Sequence, residues 1–255
     1  MILKSEEKMS IEKAIQRAAL PLAQGVNVSD VRIGLGYTAV LLDDGHAGTA
    51  YTFRENRGGC SVYRNIRPLA GRPAADLLAL FDVGGSIETT LALATANALF
   101  NRPDESHHQG DILAHLHIQP EDRVGMVGNF APLIPAIRQQ ARELHVFEQI
   151  DQPQGHLLPT AMADQLLPQC QIALLTATAI INQTAEHLLS LAAACRKVVV
   201  LGASTPLCPD VFEGTGVTLL SGIVVKKPDA LLQIVSEGGG MQFFKSSIAK
   251  VNRRL

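Results

Sequence analysis

The stretch RVGMVGNFAPLIPAI at residues 123–137 decides the fold class. Its first five residues predict a short buried strand, Gly128 predicts a tight turn, and Pro132 suits the first turn of a helix. A strand, a turn and a helix in this order form the repeating unit of a parallel sheet with crossover helices. The stretch therefore predicts an α/β protein.

The same alternation continues to the end of the chain. Further strands are predicted at 144–148, 171–176, 197–202 and 216–220, and helices at 132–142, 160–166, 180–195, 228–236 and 241–252. A parallel sheet of this kind binds ligands beyond the carboxyl ends of its strands. We therefore expect the functional residues just after the predicted strand ends.

The amino-terminal part has a different pattern. It predicts a helix at 11–19, strands at 31–42 and 47–53 around an Asp-Asp-Gly-His turn, and helices at 74–81 and 87–100, the last one capped by Ser86. The polar stretch NRPDESHHQGD at 101–111 separates the two patterns. We expect an α+β domain over residues 1–106 and a parallel α/β domain over 107–255.

Composition excludes several classes of function. The 255 residues include 22 Lys and Arg and 24 Asp and Glu, so no basic field favours nucleic acid. No apolar run has the roughly 20 residues of a membrane span. The start MILKSEEKMS lacks the apolar core of a signal peptide, which favours a cytoplasmic protein. The four cysteines form no C-x-x-C pair and are expected to be buried thiols rather than metal or redox groups.

The first two strand ends carry the most specific signals. Gly125 and Gly128 form a G-x-x-G turn followed by Asn129 and Phe130, where free backbone N–H groups favour an anion, although the dinucleotide fingerprint G-x-G-x-x-G is absent. Glu148 ends the second strand twenty residues after Gly128, the spacing at which dinucleotide-binding folds recognise a ribose. A solvated strand-end carboxylate explains Glu148 equally well.

The remaining strand ends carry small polar residues that outline a concave polar floor: Thr176 and Thr178, then Ser204, Thr205 and Pro206, then Ser221 and Gly222. Turn chemistry explains each of them singly. Asn97 lies in an unusually apolar helix, on a polar stripe that faces either solvent or a cleft between the domains. Tyr37, after Gly36, is either a cleft residue or an ordinary sheet residue.

A group of histidines lies at the predicted boundary. His107, His108, His115 and His117, with Asp104, Glu105 and Asp111 nearby, are ligand types that a transition metal accepts. Their spacing matches no standard zinc pattern, and solvated linker residues explain them more simply.

Five segments carry a family resemblance: IGLGYTAVLL at 33–42, LALATANALFN at 91–101, VGMVGNFAPLI at 124–134, GASTPLCPDVFEGTGVTLLSGIVV at 202–225 and GGGMQFFK at 238–245. In these segments, and over nearly its whole length, the chain resembles the heavy-metal chelation family. The resemblance implies an enolase amino-terminal-like α+β domain followed by a Rossmann-like domain, with the site between them.

The resemblance also marks individual positions. The residues that match recurring motif positions of the family are Asn97, Gly125, Gly128, Asn129, Phe130, Ser204, Thr205, Pro206 and Gly222. The family commonly has an aromatic residue after the second motif glycine, where this chain has Asn129, so a stacking role is not expected there.

Two functional hypotheses follow. The first is a cytoplasmic protein of metal homeostasis that binds a small molecule, a divalent metal or a metal-chelate in the interdomain cleft. Oxygen donors such as those of Glu148, Ser204 and Thr205 suit a chelate better than a bare soft metal. The alternative is an enzyme acting on a nucleotide-like or S-adenosylmethionine-like ligand held by the 125–130 turn and Glu148. A pure interaction module fits the clustered strand-end residues less well, and a homodimer is the expected assembly.

Overall fold

The computed structural model describes residues 9–53 and 63–255. In these ranges eleven strands form two sheets: β1 Val28–Ile33, β2 Tyr37–Leu42, β3 Ala47–Tyr51, β4 His108–Gln109, β5 Arg123–Val127, β6 Glu143–Glu148, β7 Leu157–Pro159, β8 Ile172–Thr176, β9 Lys197–Leu201, β10 Leu219–Val225 and β11 Ile248–Arg254. Ten α-helices accompany them: α1 Ile11–Ala19, α2 Ala74–Leu78, α3 Ser86–Phe100, α4 Leu113–Leu116, α5 Ile134–Gln140, α6 Ala163–Leu166, α7 Thr178–Ile181, α8 Ala185–Leu191, α9 Pro228–Ser236 and α10 Met241–Phe244.

The large sheet has the strand order β4-β11-β10-β9-β8-β5-β6-β7. The strands from β10 to β7 in this order are parallel to their neighbours, whereas β11 is antiparallel to β10 and to β4. The predicted α/β class is confirmed, with a mixed rather than purely parallel sheet. From β5 the chain builds outward through β6 and β7, then returns to add β8 on the other side. The order therefore reverses beside β5, which creates a crevice where open α/β sheets bind ligands.

Both faces of the large sheet are covered. Along β9, Val198 and Val200 pack into the core that contains α3 and α8, whereas Val199 and Leu201 face the core that contains α4 and α5. This double burial explains why the strand reads as an uninterrupted apolar run.

The small sheet, in the antiparallel order β1-β2-β3, lies between α3 and α9. Val40 and Ala50 belong to the core shared with α3, and Ala39 packs with Leu231 and Val235 of α9. At Gly48 the sheet touches the helix backbone itself, because an added Cβ would lie 2.2 Å from the Ala98 amide nitrogen. Only glycine allows this contact between β3 and α3.

Several predicted elements differ in the structure. The predicted strand 31–42 is divided into β1 and β2 by a turn in which the Gly34 amide donates to the Tyr37 carbonyl at 2.9 Å. The predicted helix 180–195 is divided into α7 and α8, with Gln183 between them at a φ of 60°. The helices predicted at 74–81 and 160–166 are partly 3-10 helix.

The helix predicted at 241–252 is α10 followed by a 3-10 turn up to Ser247, and the prediction was wrong from residue 248. Residues 248–254 form β11 because they pair with the edge of β10 and bury Ile248 and Val251, a tertiary contact that overrides local preference. The fifth predicted strand begins at Leu219 rather than 216 and continues through Ser221 and Gly222. These two residues are therefore part of β10, not a turn after it.

The division of the chain into two domains at residue 106 stays a prediction. None of the described helices has the length and apolarity that crossing a membrane requires.

The close approach of β3 to α3 at Gly48 leads us to a prediction about the stability of the protein. Gly48→Ala places a methyl group against helix backbone that cannot rotate away, so we expect the free energy of unfolding to fall by about 3 kcal/mol. Urea unfolding followed by circular dichroism measures this change. Gly36→Ala is the matched control, because the space around Gly36 is open. An equal loss in both variants would contradict the packing argument.

Candidate functional site

A cleft of about 320 Å³ opens at the carboxyl ends of β5, β6 and β8, where the strand order reverses. Its volume is within the range of small-molecule sites. The residues of the predicted site that line it are Gly128, Asn129, Phe130, Glu148, Thr176 and Thr178. The expectation that the strand ends converge is met for these six residues.

The turn after β5 depends on glycine at position 128. Gly128 has a φ of +93°, and an added Cβ would lie 3.0 Å from Cβ of Thr176. The Gly128 amide donates to the Phe147 carbonyl at 2.9 Å, which ties the turn to the end of β6. The Phe130 ring covers this turn and lies 3.8 Å from the position of a Cβ on Gly202. Phe130 therefore bridges the ends of β5 and β9.

Glu148 is fixed at the edge of the cleft by backbone donors. Its Oε1 accepts a hydrogen bond from the Asn129 amide at 3.3 Å, and Oε2 accepts one from the Gln149 amide at 3.2 Å. The spacing between Gly128 and Glu148 therefore does bring the carboxylate beside the glycine turn, as dinucleotide-binding folds require.

Hydroxyl and amide side chains line the cleft together with Glu148. The Oγ1 atoms of Thr176 and Thr178 are hydrogen bonded at 2.9 Å, and Thr184 Oγ1 donates to Asn182 Oδ1 at 2.8 Å. We call Glu148, Thr176, Thr178 and Asn182 the polar floor. Thr176 Oγ1 also accepts a hydrogen bond from the Thr178 amide, so Thr176 both stabilises the turn and lines the cleft.

Three aromatic side chains from the amino-terminal part of the chain also line the cleft. They are Tyr37 and Tyr51 of the small sheet and Phe53 just after β3, and we call them the aromatic roof. Tyr37 and Tyr51 are cross-strand partners, and burial raises the pKa of Tyr37 to about 12. Tyr51 and Phe53 were missed by the sequence analysis. Their spacing of two, which places side chains on one face of an extended chain, was the available signal.

A buried network holds the aromatic roof over the sheet. Asn97 Nδ2 donates to the Thr49 carbonyl at 2.8 Å and to the Ser204 carbonyl at 3.1 Å. Ser204 Oγ accepts from the Tyr51 amide at 2.8 Å, and Thr49 Oγ1 donates to the Ala203 carbonyl at 3.1 Å. We call these contacts the Asn97 network. It joins α3, β3 and the segment after β9.

Asn101 extends this arrangement by one helical turn. Its Nδ2 donates to the Thr205 carbonyl at 2.9 Å, and its Oδ1 accepts from the Leu207 amide at 2.8 Å. Asn97, Ser204 and Thr205 are fully or almost fully buried in this network and are not among the described residues that line the cleft. The polar stripe of α3 therefore faces the strand-end segment, not solvent.

The other predicted site residues lie in packed surroundings. A Cβ on Gly125 would lie 2.4 Å from Leu167 Cδ1, and one on Gly222 would lie 3.0 Å from Leu207 Cδ2. Pro206 is buried in the segment after β9. Close packing accounts for these positions, and their ligand roles stay predictions.

The described residues do not fit a bare soft metal ion. The ring centroids of His108 and His115 lie 5.8 Å apart, but nowhere in 9–53 or 63–255 do three His, Cys, Asp or Glu side chains converge to hold an ion. The cleft offers oxygen donors, whereas soft metals prefer thiolate and imidazole.

The described cysteines are protonated thiols at neutral pH. Burial raises the pKa of Cys170 to about 12 and that of Cys195 to about 11, and it also raises the pKa of Cys208. Cys195 Sγ donates to the Cys170 carbonyl at 3.1 Å. Cys170 is buried as expected, whereas Cys195 and Cys208 are only partly buried, and Cys60 lies outside the described residues.

Fold and site together define an α/β protein with a cleft at the reversal point of a mixed sheet. Two adjacent family models, both described as "Putative heavy-metal chelation", match residues 16–100 and 111–254. The chain belongs to this family, which confirms the resemblance seen in the sequence.

Individual relatives agree in length and fold. An uncharacterized protein of Methanocaldococcus jannaschii is 23% identical, over 95% of this chain and 96% of the relative. A crystal structure of a protein of unknown function from Pyrococcus horikoshii matches 96% of this chain and 100% of its own, with a TM-score of 0.84 and 22% identity. A second crystal structure, of a protein of unknown function from Desulfitobacterium hafniense, matches 95% of this chain and 98% of its own, with a TM-score of 0.76 and 22% identity. These structures show the same fold.

The Asn97 network leads us to a second prediction, about thermal stability. Asn97→Ala removes the donor for two buried carbonyls, and each unsatisfied acceptor costs about 1–3 kcal/mol. We therefore expect a clear fall in the melting temperature measured by calorimetry. Asn129→Ala is the control, since Asn129 is exposed and its backbone amide is retained. Equal melting temperatures for the two variants would contradict a structural role of Asn97.

Proposed function

We propose that this protein binds a small organic molecule or a metal-chelate in the cleft between the aromatic roof and the polar floor, with a role in heavy-metal chelation or metal homeostasis. The observation that carries the proposal is the composition of the cleft. The aromatic rings of the roof line the cleft together with Phe130 and Phe147 at the strand ends, and a carboxylate held by two backbone amides, hydroxyls and side-chain amides line it as well. The family description supports the role in metal handling.

A chelate suits this cleft better than a bare ion. The organic shell of a chelate offers apolar surface to Tyr51 and Phe53 and polar edges to the floor. A bare ion would need several converging protein ligands, and the described residues provide no such group of three. In this proposal the roof belongs to the amino-terminal unit and the floor to the carboxyl-terminal unit, so a ligand contacts both.

One observation favours a second candidate, an enzyme acting on a nucleoside-like or S-adenosylmethionine-like ligand. Glu148 lies beside the Gly128 turn at the end of β6, where related folds bind ribose hydroxyls. None of the described residues that line the cleft is Lys, Arg or His. A nucleoside or a sulfonium compound therefore fits this candidate better than a dinucleotide, whose pyrophosphate would meet the Glu148 carboxylate without a compensating cation.

Thermal unfolding of chelator-treated protein tests the proposal. The panel contains Zn²⁺, Cd²⁺ and Cu²⁺ alone, the same ions as complexes with bipyridyl or citrate, and S-adenosylmethionine, adenosine and NAD. A ligand at about 100 times its dissociation constant adds roughly 2.7 kcal/mol of stability. We expect a rise in melting temperature with an organic compound or a complex, but not with the ions alone.

Two variants locate the binding. Glu148→Gln and Tyr51→Leu should reduce the rise, whereas Glu121→Gln, an exposed acid outside the cleft, should leave it unchanged. A rise with bare ions that His108→Ala or His115→Ala abolishes would contradict the proposal and locate the site in the histidine segment. A ligand effect that survives both cleft variants would also contradict it.

A further inference from the structure

The aromatic roof has the geometry of a partial box. The ring centroids of Tyr37 and Tyr51 lie 5.7 Å apart with an interplanar angle of 90°, and those of Tyr51 and Phe53 lie 5.1 Å apart at 80°. Successive rings are therefore nearly perpendicular and present walls that face in different directions. A cation within about 6 Å of a ring centroid is attracted by the negative face of the ring, and boxes of this kind bind alkylated ammonium groups.

Two of the three residues of the roof, Tyr37 and Tyr51, are anchored by contacts within the protein. Tyr37 is held by a contact with the buried Phe244, at a centroid distance of 5.2 Å. Tyr51 is held through its backbone, because its amide donates to Ser204 Oγ and its carbonyl accepts from Thr90 Oγ1 at 3.0 Å. A ligand therefore loses little affinity to the ordering of these rings.

The charge of the described residues that line the cleft favours a cation. Of the described residues that line it, Glu148 carries the one formal charge. Two backbone amides fix its carboxylate at the edge of the cleft, where it can neutralise a positive ligand. An unpaired charge that loses its water shell costs free energy, and an anionic ligand would find no compensating cation among the described residues that line the cleft.

The roof further selects the type of cation. A primary ammonium group has three N–H donors that need oxygen acceptors, whereas a quaternary ammonium or a sulfonium has none. Ring faces can stabilise a cation of the second kind without loss of hydrogen bonds, because that cation has no N–H donors. We propose that the aromatic roof and Glu148 together bind a quaternary ammonium or sulfonium group, an inference that rests on the proposed function and specifies the chemistry of its ligand.

Isothermal titration with matched pairs of compounds tests the inference on the full-length protein. Choline is compared with its uncharged isostere 3,3-dimethylbutan-1-ol, and S-adenosylmethionine with the thioether S-adenosylhomocysteine. We expect the charged member of at least one pair to bind more tightly than its neutral partner, by ~5-fold or more. The pair that shows the difference tells an ammonium ligand from a sulfonium ligand. Ethanolamine, a primary ammonium, should bind more weakly than choline.

Two substitutions connect the preference to the named residues. Glu148→Gln should weaken the charged compounds and leave the neutral ones unchanged, and Tyr51→Leu should weaken the charged compounds most. The matched controls are Glu121→Gln and Phe243→Leu, which change an exposed acid and an exposed aromatic residue outside the cleft. If circular dichroism shows that Tyr51→Leu is unfolded, Phe53→Leu and Glu148→Gln carry the test.

The outcomes separate this inference from the proposed function. Equal affinity within both pairs, weakened by Tyr51→Leu, would overturn the preference for an onium group and leave the cleft as the ligand site. Binding that neither cleft variant changes would overturn the inference and the proposed location together. Failure of both charged compounds to bind would overturn the inference, whatever the thermal-shift panel shows.

Discussion

The amide of Asn97 is the contact on which the site depends. It lies in the middle of an otherwise apolar helix and donates to one carbonyl of β3 and to another in the segment that follows β9. Because Tyr51 is two residues beyond Thr49 and its amide donates to Ser204, the same contact determines where the aromatic roof stands above the large sheet. The two hydrogen bonds of Nδ2, which link β3 to the segment after β9, offset part of the cost of burying this amide, whereas its Oδ1 has no partner among the described residues.

The cleft follows from two features that arise independently. The reversal of strand order beside β5 leaves a crevice at the carboxyl ends of the strands, and the Gly128 turn keeps it open by carrying no side chain toward Thr176. The small sheet then covers this crevice because Gly48 allows β3 to lie directly on α3. The floor and the roof therefore come from distant parts of the chain, and a ligand held between them would stabilise both.

The floor could be predicted from the sequence, because parallel strands place their carboxyl ends at one edge. Gly128, Glu148 and Thr176 were found in this way, and the bounds of α1, α9 and β5 were also correct. Of the roof, only Tyr37 was named as a candidate cleft residue, because the spacing of Tyr51 and Phe53 places them on one face but their position at the cleft is set by tertiary contacts. Asn97 was recognised as unusual, but only coordinates could show that its partners are backbone carbonyls. The strand β11 was missed because its state is set by pairing with β10.

The most direct test of a ligand between roof and floor is a ¹⁹F NMR titration of protein labelled with 3-fluorotyrosine. The chain has three tyrosines, of which Tyr37 and Tyr51 line the cleft while Tyr63 is buried outside it. Tyrosine-to-phenylalanine variants assign the three resonances. A compound that raises the melting temperature should shift the resonances of Tyr37 and Tyr51 and leave that of Tyr63 in place. A stabilising compound that shifts Tyr63 alone, or none of the three, would contradict this account.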